Sequence, residues 1–221
     1  MRIRSCAAPL LLALAVWQFG AAAYIHAKAL LAQELLEHAW QRTLQGERLV
    51  RPWPWADIHP IARLRVPGQG RELIVLEGSS GQSLAFGPAH VLGTALPGAP
   101  GSAVVVGHRD THFRFLRELR NGDRLEVERI DGARVSYVVS ALRVVDTRLE
   151  RLPLDGEPAS LRLITCYPFD GVRAGGPLRF EVTAKPEYGR PASTGVAARQ
   201  RKLGEHGAES GVTILTKIGV S

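Results

Sequence analysis

The sequence predicts a mainly β protein, a single compact domain built as a closed or nearly closed barrel of seven or eight short strands behind an apolar N-terminal segment. Three observations lead there. Seven short runs rich in aliphatic and β-branched residues follow one another between residues 61 and 184. Gly- and Pro-rich turns separate most of them, drawing on 23 glycines and 14 prolines. The 221 residues, 45% of them apolar, suffice for one domain of about 100–150 residues with an anchor and a tail, and not for two.

Arg2 and Arg4 precede a run from Cys6 to Ile25 that carries no charged side chain. A run of about 20 such residues matches the hydrocarbon core of a bilayer. Arginines ahead of it keep that end in the cytoplasm. Residues 1–27 are therefore expected to form a single-pass anchor in the inner (cytoplasmic) membrane, with the remaining chain facing the periplasm. A cleaved signal peptide is the competing reading, since Ala21–Ala23 offer small residues to a peptidase. The length of the run, beyond the roughly 7–15 residues of a secretory apolar core, favours the uncleaved anchor.

Residues 28–60 form the next segment. Leu30, Leu31, Leu35, Leu36, Ala39, Trp40 and Leu44 recur at helical spacing with Glu34, Glu37, His38 and Gln41 between them, which predicts an amphipathic helix. Gly46–Pro60 then carries three prolines and two tryptophans and reads as a linker, its tryptophans serving either the membrane interface or the core. The barrel is expected over 61–185, with strands at 61–66, 72–77, 102–108, 124–129, 135–145, 161–166 and 178–184. Short helical insertions are expected near Pro88–Leu92 and at Phe113–Leu119, the second ended by the Asn121-Gly122 turn. From 186 to 221 the periodicity disappears, and the reading is a loosely ordered tail.

The formal net charge of +7 comes mostly from dispersed arginines, with no aromatic and basic platform, so nucleic acid is not an expected partner. There are two cysteines. Cys6 belongs to the membrane edge, which leaves Cys166 unpaired in an oxidising compartment where cysteines are usually bridged. A buried, inert thiol is the bland explanation. The flanking sequence argues for a chemical task instead.

A thiol nucleophile acts as thiolate, needs an imidazole or cation nearby, and needs donors for the oxyanion of its tetrahedral adduct. His108 follows the strand SAVVVG, Cys166 closes LRLIT, and Arg179 lies at the start of LRFEV. Neighbouring strands would bring the three to one rim. Strand order, however, does not follow from this pattern. Arg173 competes with Arg179, which is preferred because it lies inside an apolar strand. His112, four residues after His108, has metal-ligand spacing but lacks companion ligands, so no metal site is expected.

Leu163-Ile164-Thr165-Cys166-Tyr167-Pro168-Phe169 resembles the cysteine signature of the sortases. Val106-Gly107-His108-Arg109-Asp110-Thr111 resembles their histidine motif, and Gly87-Pro88-Ala89-His90 through Gly93-Thr94-Ala95-Leu96-Pro97-Gly98 is similar to the segment that leads up to it. The resemblance covers roughly residues 55–185. It is strongest to the sortases of Gram-negative proteobacteria, which share the Cys-Tyr-Pro-Phe ending and the Pro54-Trp55-Ala56-Asp57 block. It implies an eight-stranded barrel with Cys166 as nucleophile, His108 as acid and base, and Arg179 as stabiliser of the oxyanion or substrate, without a cofactor. Thr165, His90, Asp110 and Tyr167 become candidate substrate-binding residues. The implied partners are a secreted protein with a C-terminal LPxTG-like sorting signal and an amine acceptor. Two other readings stand beside it: an L,D-transpeptidase, whose histidine and cysteine lie close together in a Ser/Gly-rich motif not seen here, and a membrane-tethered binding barrel with an incidental thiol.

Overall fold

In the computed structural model, residues 4–150, 159–171 and 176–187 are described, with side chains from residue 11 onward. Eight strands close a barrel: β1 (Pro60–Val66), β2 (Arg71–Glu77), β3 (Ala89–His90), β4 (Ser102–Val106), β5 (Arg124–Arg129), β6 (Arg134–Asp146), β7 (Ser160–Cys166) and β8 (Leu178–Pro186). Around the barrel the order is β1-β2-β3-β4-β7-β8-β6-β5, and β5 pairs back onto β1. The β2–β3 and β4–β7 pairs are parallel and the rest antiparallel.

All seven strand runs expected from the sequence occur. The eighth strand, β3, lies where a helical insertion was expected at Pro88–Leu92. The helix comes earlier, as α2 (Gly81–Phe86), and starts where the Ser80 hydroxyl accepts a hydrogen bond from the Ser83 amide. The second insertion is present as a 3-10 helix over Arg114–Glu118. Pro186, where the tail was expected to start, still pairs with Tyr137 in the β8–β6 ladder. Residues 188–221 lie outside the described residues.

Side-chain alternation divides each strand between two faces. Ala62, Leu64, Val75, Ala103, Val105, Leu125, Val127, Leu161, Leu163, Val182 and Ala184 point inward and pack with Phe113, Phe115 and Leu116 into the main core. The opposite faces are covered locally. Leu36, Ala56, Ile58 and Leu76 form a second cluster, against which Trp53 and Phe86 pack edge to face at 4.9 Å.

The apolar run and the amphipathic segment are one continuous helix, α1 (Arg4–Leu44), about 60 Å long at 1.5 Å per residue. Its C-terminal part is docked on the barrel. Leu36, Ala39 and Trp40 are buried, the Arg63 guanidinium lies 5.8 Å from the Trp40 ring centre, and Arg63 pairs with Glu37. Trp40 of the helix thus covers the core; of the two linker tryptophans, Trp53 does so too and Trp55 is exposed. Leu11, Leu12, Val16, Trp17, Phe19 and Ile25 are exposed along the N-terminal half. Among the described residues no helix is long and apolar enough to cross a membrane. The side chains of residues 6–10, the first part of the expected span, lie outside the described residues.

Two ion networks stiffen the barrel. Glu128 faces Arg65, Arg134 and Arg63. Burial raises its pKa, yet the three guanidinium groups outweigh this and hold the carboxyl below its usual range. The second pair is deeper. Glu181 on β8 accepts from Arg162 on β7 and, at 2.8 Å, from Arg143 on β6, with Glu181 and Arg162 both almost fully buried. Glu181→Ala removes the carboxylate these cations share, and the expected cost is about 3–5 kcal/mol in a urea unfolding titration. A loss below about 1 kcal/mol would show that the pair is not holding β7 to β8.

Candidate active site

The rim that carries Cys166 is set by the pairing of three adjacent strands. In the β7–β8 ladder Cys166 stands directly opposite Arg179. In the parallel β4–β7 ladder the last paired residues are Val106 and Ile164, and continuing that register by two residues brings His108 level with Cys166. The contact persists beyond the ladder: the Gly107 amide donates to the Ile164 carbonyl at 3.2 Å, and the Thr165 hydroxyl donates to the Gly107 carbonyl at 2.7 Å. Parity places all three on one face. Leu161, Leu163, Val105 and Val182 point into the core, so Cys166, His108 and Arg179 belong to the opposite face, on β7 between β4 and β8.

Their surroundings differ. The Cys166 thiol is free and half-buried, and His108 is exposed. Gly107 makes the approach to His108 tight, since a Cβ there would sit 2.9 Å from the Phe113 ring. The backbone turns just after, where the Phe113 amide donates to the His108 carbonyl at 2.9 Å. Arg179 is half-buried, and its Nη1 donates to the Gly176 and Leu178 carbonyls at 2.6 and 2.9 Å. These are its hydrogen bonds among the described residues. Arg173 lies outside the described residues.

The structure separates the other candidates from this trio. Thr165 has interior parity, is 2% exposed and spends its hydroxyl on Gly107, so it braces the strand ends rather than meeting solvent. His90 is 3% exposed and sits across from the inward-facing Val105. Its Nε2 is engaged by Ala95 and Thr94, which ties down the β3–β4 loop; it does not line the face that carries Cys166. Tyr167 stacks on Phe180 at 6.3 Å and meets Phe169 edge to face at 6.1 Å, closing the barrel end beside the nucleophile. Asp110 is exposed and lies 3.4 Å from the Arg109 Nε. His112 lies close to His108 and donates to the Ala85 carbonyl. Burial, opposed by that hydrogen bond and reinforced by the His108 charge, lowers its pKa and favours the neutral ring. Among the described residues no cluster of three or more His, Cys, Asp or Glu side chains gathers to hold a metal.

Sequence reasoning missed two contributors. Arg109 follows the histidine and is 6% exposed, with its guanidinium donating to the carbonyls of Pro168 and Gly171. The Arg162–Glu181 pair lies on the same face as Cys166 and Arg179, Glu181 next to Arg179 along it and Arg162 two positions along it before Cys166. The available signal for the pair was Arg162, a charged residue inside the otherwise apolar strand β7; Arg109, between exposed His108 and Asp110, carried none.

The family model for the sortase domain matches residues 64–187, more than half of the chain. The chain belongs to the sortase family. Sortase D of Bacillus subtilis (strain 168) is 32% identical over 123 residues, a match that spans 55% of this chain and 61% of that protein. This sortase is also similar in fold to sortase A from Corynebacterium diphtheriae, at TM-score 0.52 and 24% identity over 75% of this chain and 88% of the other. A Clostridium perfringens sortase D5 transpeptidase gives TM-score 0.53 at 22% identity, over 71% and 98% of the two chains. The eight-stranded sortase barrel is thus established, and family membership sets aside the L,D-transpeptidase reading. These relatives do not support the finer placement among proteobacterial sortases.

Proposed function

We propose that this sortase is a cysteine transpeptidase that cleaves an LPxTG-like sorting signal in a secreted protein and passes the acyl group to an amine. The observation that carries the reading is the meeting of a half-buried free thiol, a histidine and an arginine on one face of three adjacent strands. The Cys166 thiolate attacks a backbone carbonyl carbon of the signal. The Arg179 guanidinium faces the oxyanion that forms. Collapse breaks the C–N bond, His108 gives its proton to the leaving amine, and a thioester remains on Cys166. An incoming amine then attacks the thioester and loses a proton to His108 as the sulfur departs.

The Pro54-Trp55-Ala56-Asp57 block and the Cys166-Tyr167-Pro168-Phe169 ending support a finer place with the sortases of Gram-negative proteobacteria. In this reading the N-terminal half of α1 tethers the enzyme to the inner membrane, with the barrel in the periplasm. The support is the row of exposed apolar residues from Leu11 to Ile25 and the two arginines ahead of it. Deleting residues 1–27 is expected to move the protein from the membrane to the soluble fraction with peptide cleavage retained, since Ala32–Trp40 already hold the rest of α1 to the barrel. Continued membrane recovery would contradict the tether. The activity itself is tested by incubating the protein with an LPxTG-like peptide and an amine: a cleaved peptide and its amine-ligated product are expected, and an intact peptide would leave a binding barrel as the better account.

A further inference from the structure

We propose that Arg109 is a positioning residue that holds the nucleophile's loop in register with the histidine. The ladders alone leave this joint weak. The β4–β7 pairing stops at Val106 and Ile164, so beyond Gly107 and Thr165 no further backbone bond ties His108 to Cys166 among the described residues. Cys166 ends β7, and the chain then turns through Tyr167, Pro168, Phe169, Asp170 and Gly171. A loop that starts at the nucleophile sets where its thiol points.

Arg109 crosses this gap. Its backbone adjoins His108, its side chain is 7% exposed, Nη1 donates to the Pro168 carbonyl at 2.8 Å, and Nη2 donates to the Gly171 carbonyl. Two donors in one rigid plane seize two carbonyls of the same turn, which fixes its orientation as well as its distance. The Gly171 amide bonds back to the Pro168 carbonyl at 3.2 Å, so the turn presents both acceptors together. The fit leaves no slack: a Cβ on Gly171 would lie 2.9 Å from the Arg109 Nη1 and 3.3 Å from the Pro168 oxygen. Beneath, Tyr167 and Phe169 are packed on Phe180, so the turn is held from the core side by rings and from the histidine side by Arg109. The Arg109–Asp110 ion pair, at a solvent-exposed partner, contributes little. The work of Arg109 is the tie between the two catalytic segments.

The inference rests on the transpeptidase reading for its role, and the experiment keeps the two separable. The full chain and its Arg109→Ala, Arg109→Lys and Gly171→Ala variants are compared in cleavage of an LPxTG-like peptide and in the rate of Cys166 alkylation by iodoacetamide, which needs no substrate. Thermal melting checks folding. Arg109→Ala is expected to lower kcat by about 10- to 100-fold with KM within about threefold, since misplacement near 1 Å costs this much. The alkylation rate should change by at least about threefold, as the thiol loses its set distance from His108. Arg109→Lys, with one donor group instead of a fork, should fall between. Gly171→Ala, whose Cβ would press on the Arg109 Nη1 at 2.9 Å and so loosen its hold on the turn, should reproduce the kcat loss, and it decides the matter if Arg109→Ala does not fold. Unchanged kcat and alkylation in a folded Arg109→Ala or Gly171→Ala protein would overturn the proposal. A wild-type enzyme that alkylates at Cys166 but turns over no peptide would count against the transpeptidase reading, and the alkylation comparison would still judge Arg109.

Discussion

Cys166→Ala is expected to reduce cleavage of a sorting-signal peptide to the uncatalysed level, and His108→Ala to lower kcat by about 10²- to 10⁴-fold. In this account the free Cys166 thiol forms the acyl intermediate, so its removal leaves no second route. His108 is exposed and follows β4, whose register continued by two residues reaches the level of Cys166; in this account one imidazole serves both half-reactions, giving a proton to the leaving amine and taking one from the incoming amine. Its loss spares the nucleophile. The His108→Ala protein should therefore still be alkylated at Cys166, whereas Cys166→Ala should not react there at all. Parallel assays of peptide turnover and alkylation separate the two roles, and comparable turnover in either variant and the wild type would contradict them.

Arg179→Ala is expected to cost about 10²- to 10³-fold in kcat/KM, carried mainly by kcat, because oxyanion stabilisation is felt in the transition state more than in the ground state. Arg179 is paired with Cys166 across the β7–β8 ladder, and its own backbone-bound Nη1 holds the guanidinium in place. Arg179→Lys keeps the charge and loses the planar pair of donors, so it should recover only part of the rate. Arg173→Ala should stay within a few-fold of wild type. Steady-state kinetics on the three variants settles the choice between the arginines; equal losses at 173 and 179 would remove the preference for a strand-borne stabiliser.

The strands with period-2 patterns were legible because burial on one face leaves its mark at every second residue, as in the Leu125 and Val127 series of β5. β3 was not, since two residues carry no period, and its placement depends on partners far away in the chain. α2 was misplaced by a few residues because its start is marked only by Ser80, one polar residue in a loop of several. In α1, two compositional regimes read as two segments, yet helical hydrogen bonding runs through the change because no helix breaker stands between Ile25 and Leu30.

At the site, residue type was legible and side-chain direction was not. Cys166, His108 and Arg179 stood out as strand-end residues with complementary chemistry, and the parity that gathers them emerges only from the strand order β4-β7-β8. Thr165 and His90 lie within the matched motifs but on interior parity, where their hydrogen bonds are spent on the scaffold. Arg109 went unread because its acceptors are backbone carbonyls about 60 residues away, which no sequence pattern names.

The most direct test is intact-mass spectrometry of the full chain after mixing with an LPxTG-like peptide in the absence of an amine. The account predicts a covalent adduct with the mass of the peptide's N-terminal acyl fragment, located on Cys166, discharged when an amine is added and absent from Cys166→Ala. Peptide cleavage with no adduct on Cys166, or an adduct that persists in Cys166→Ala, would contradict it.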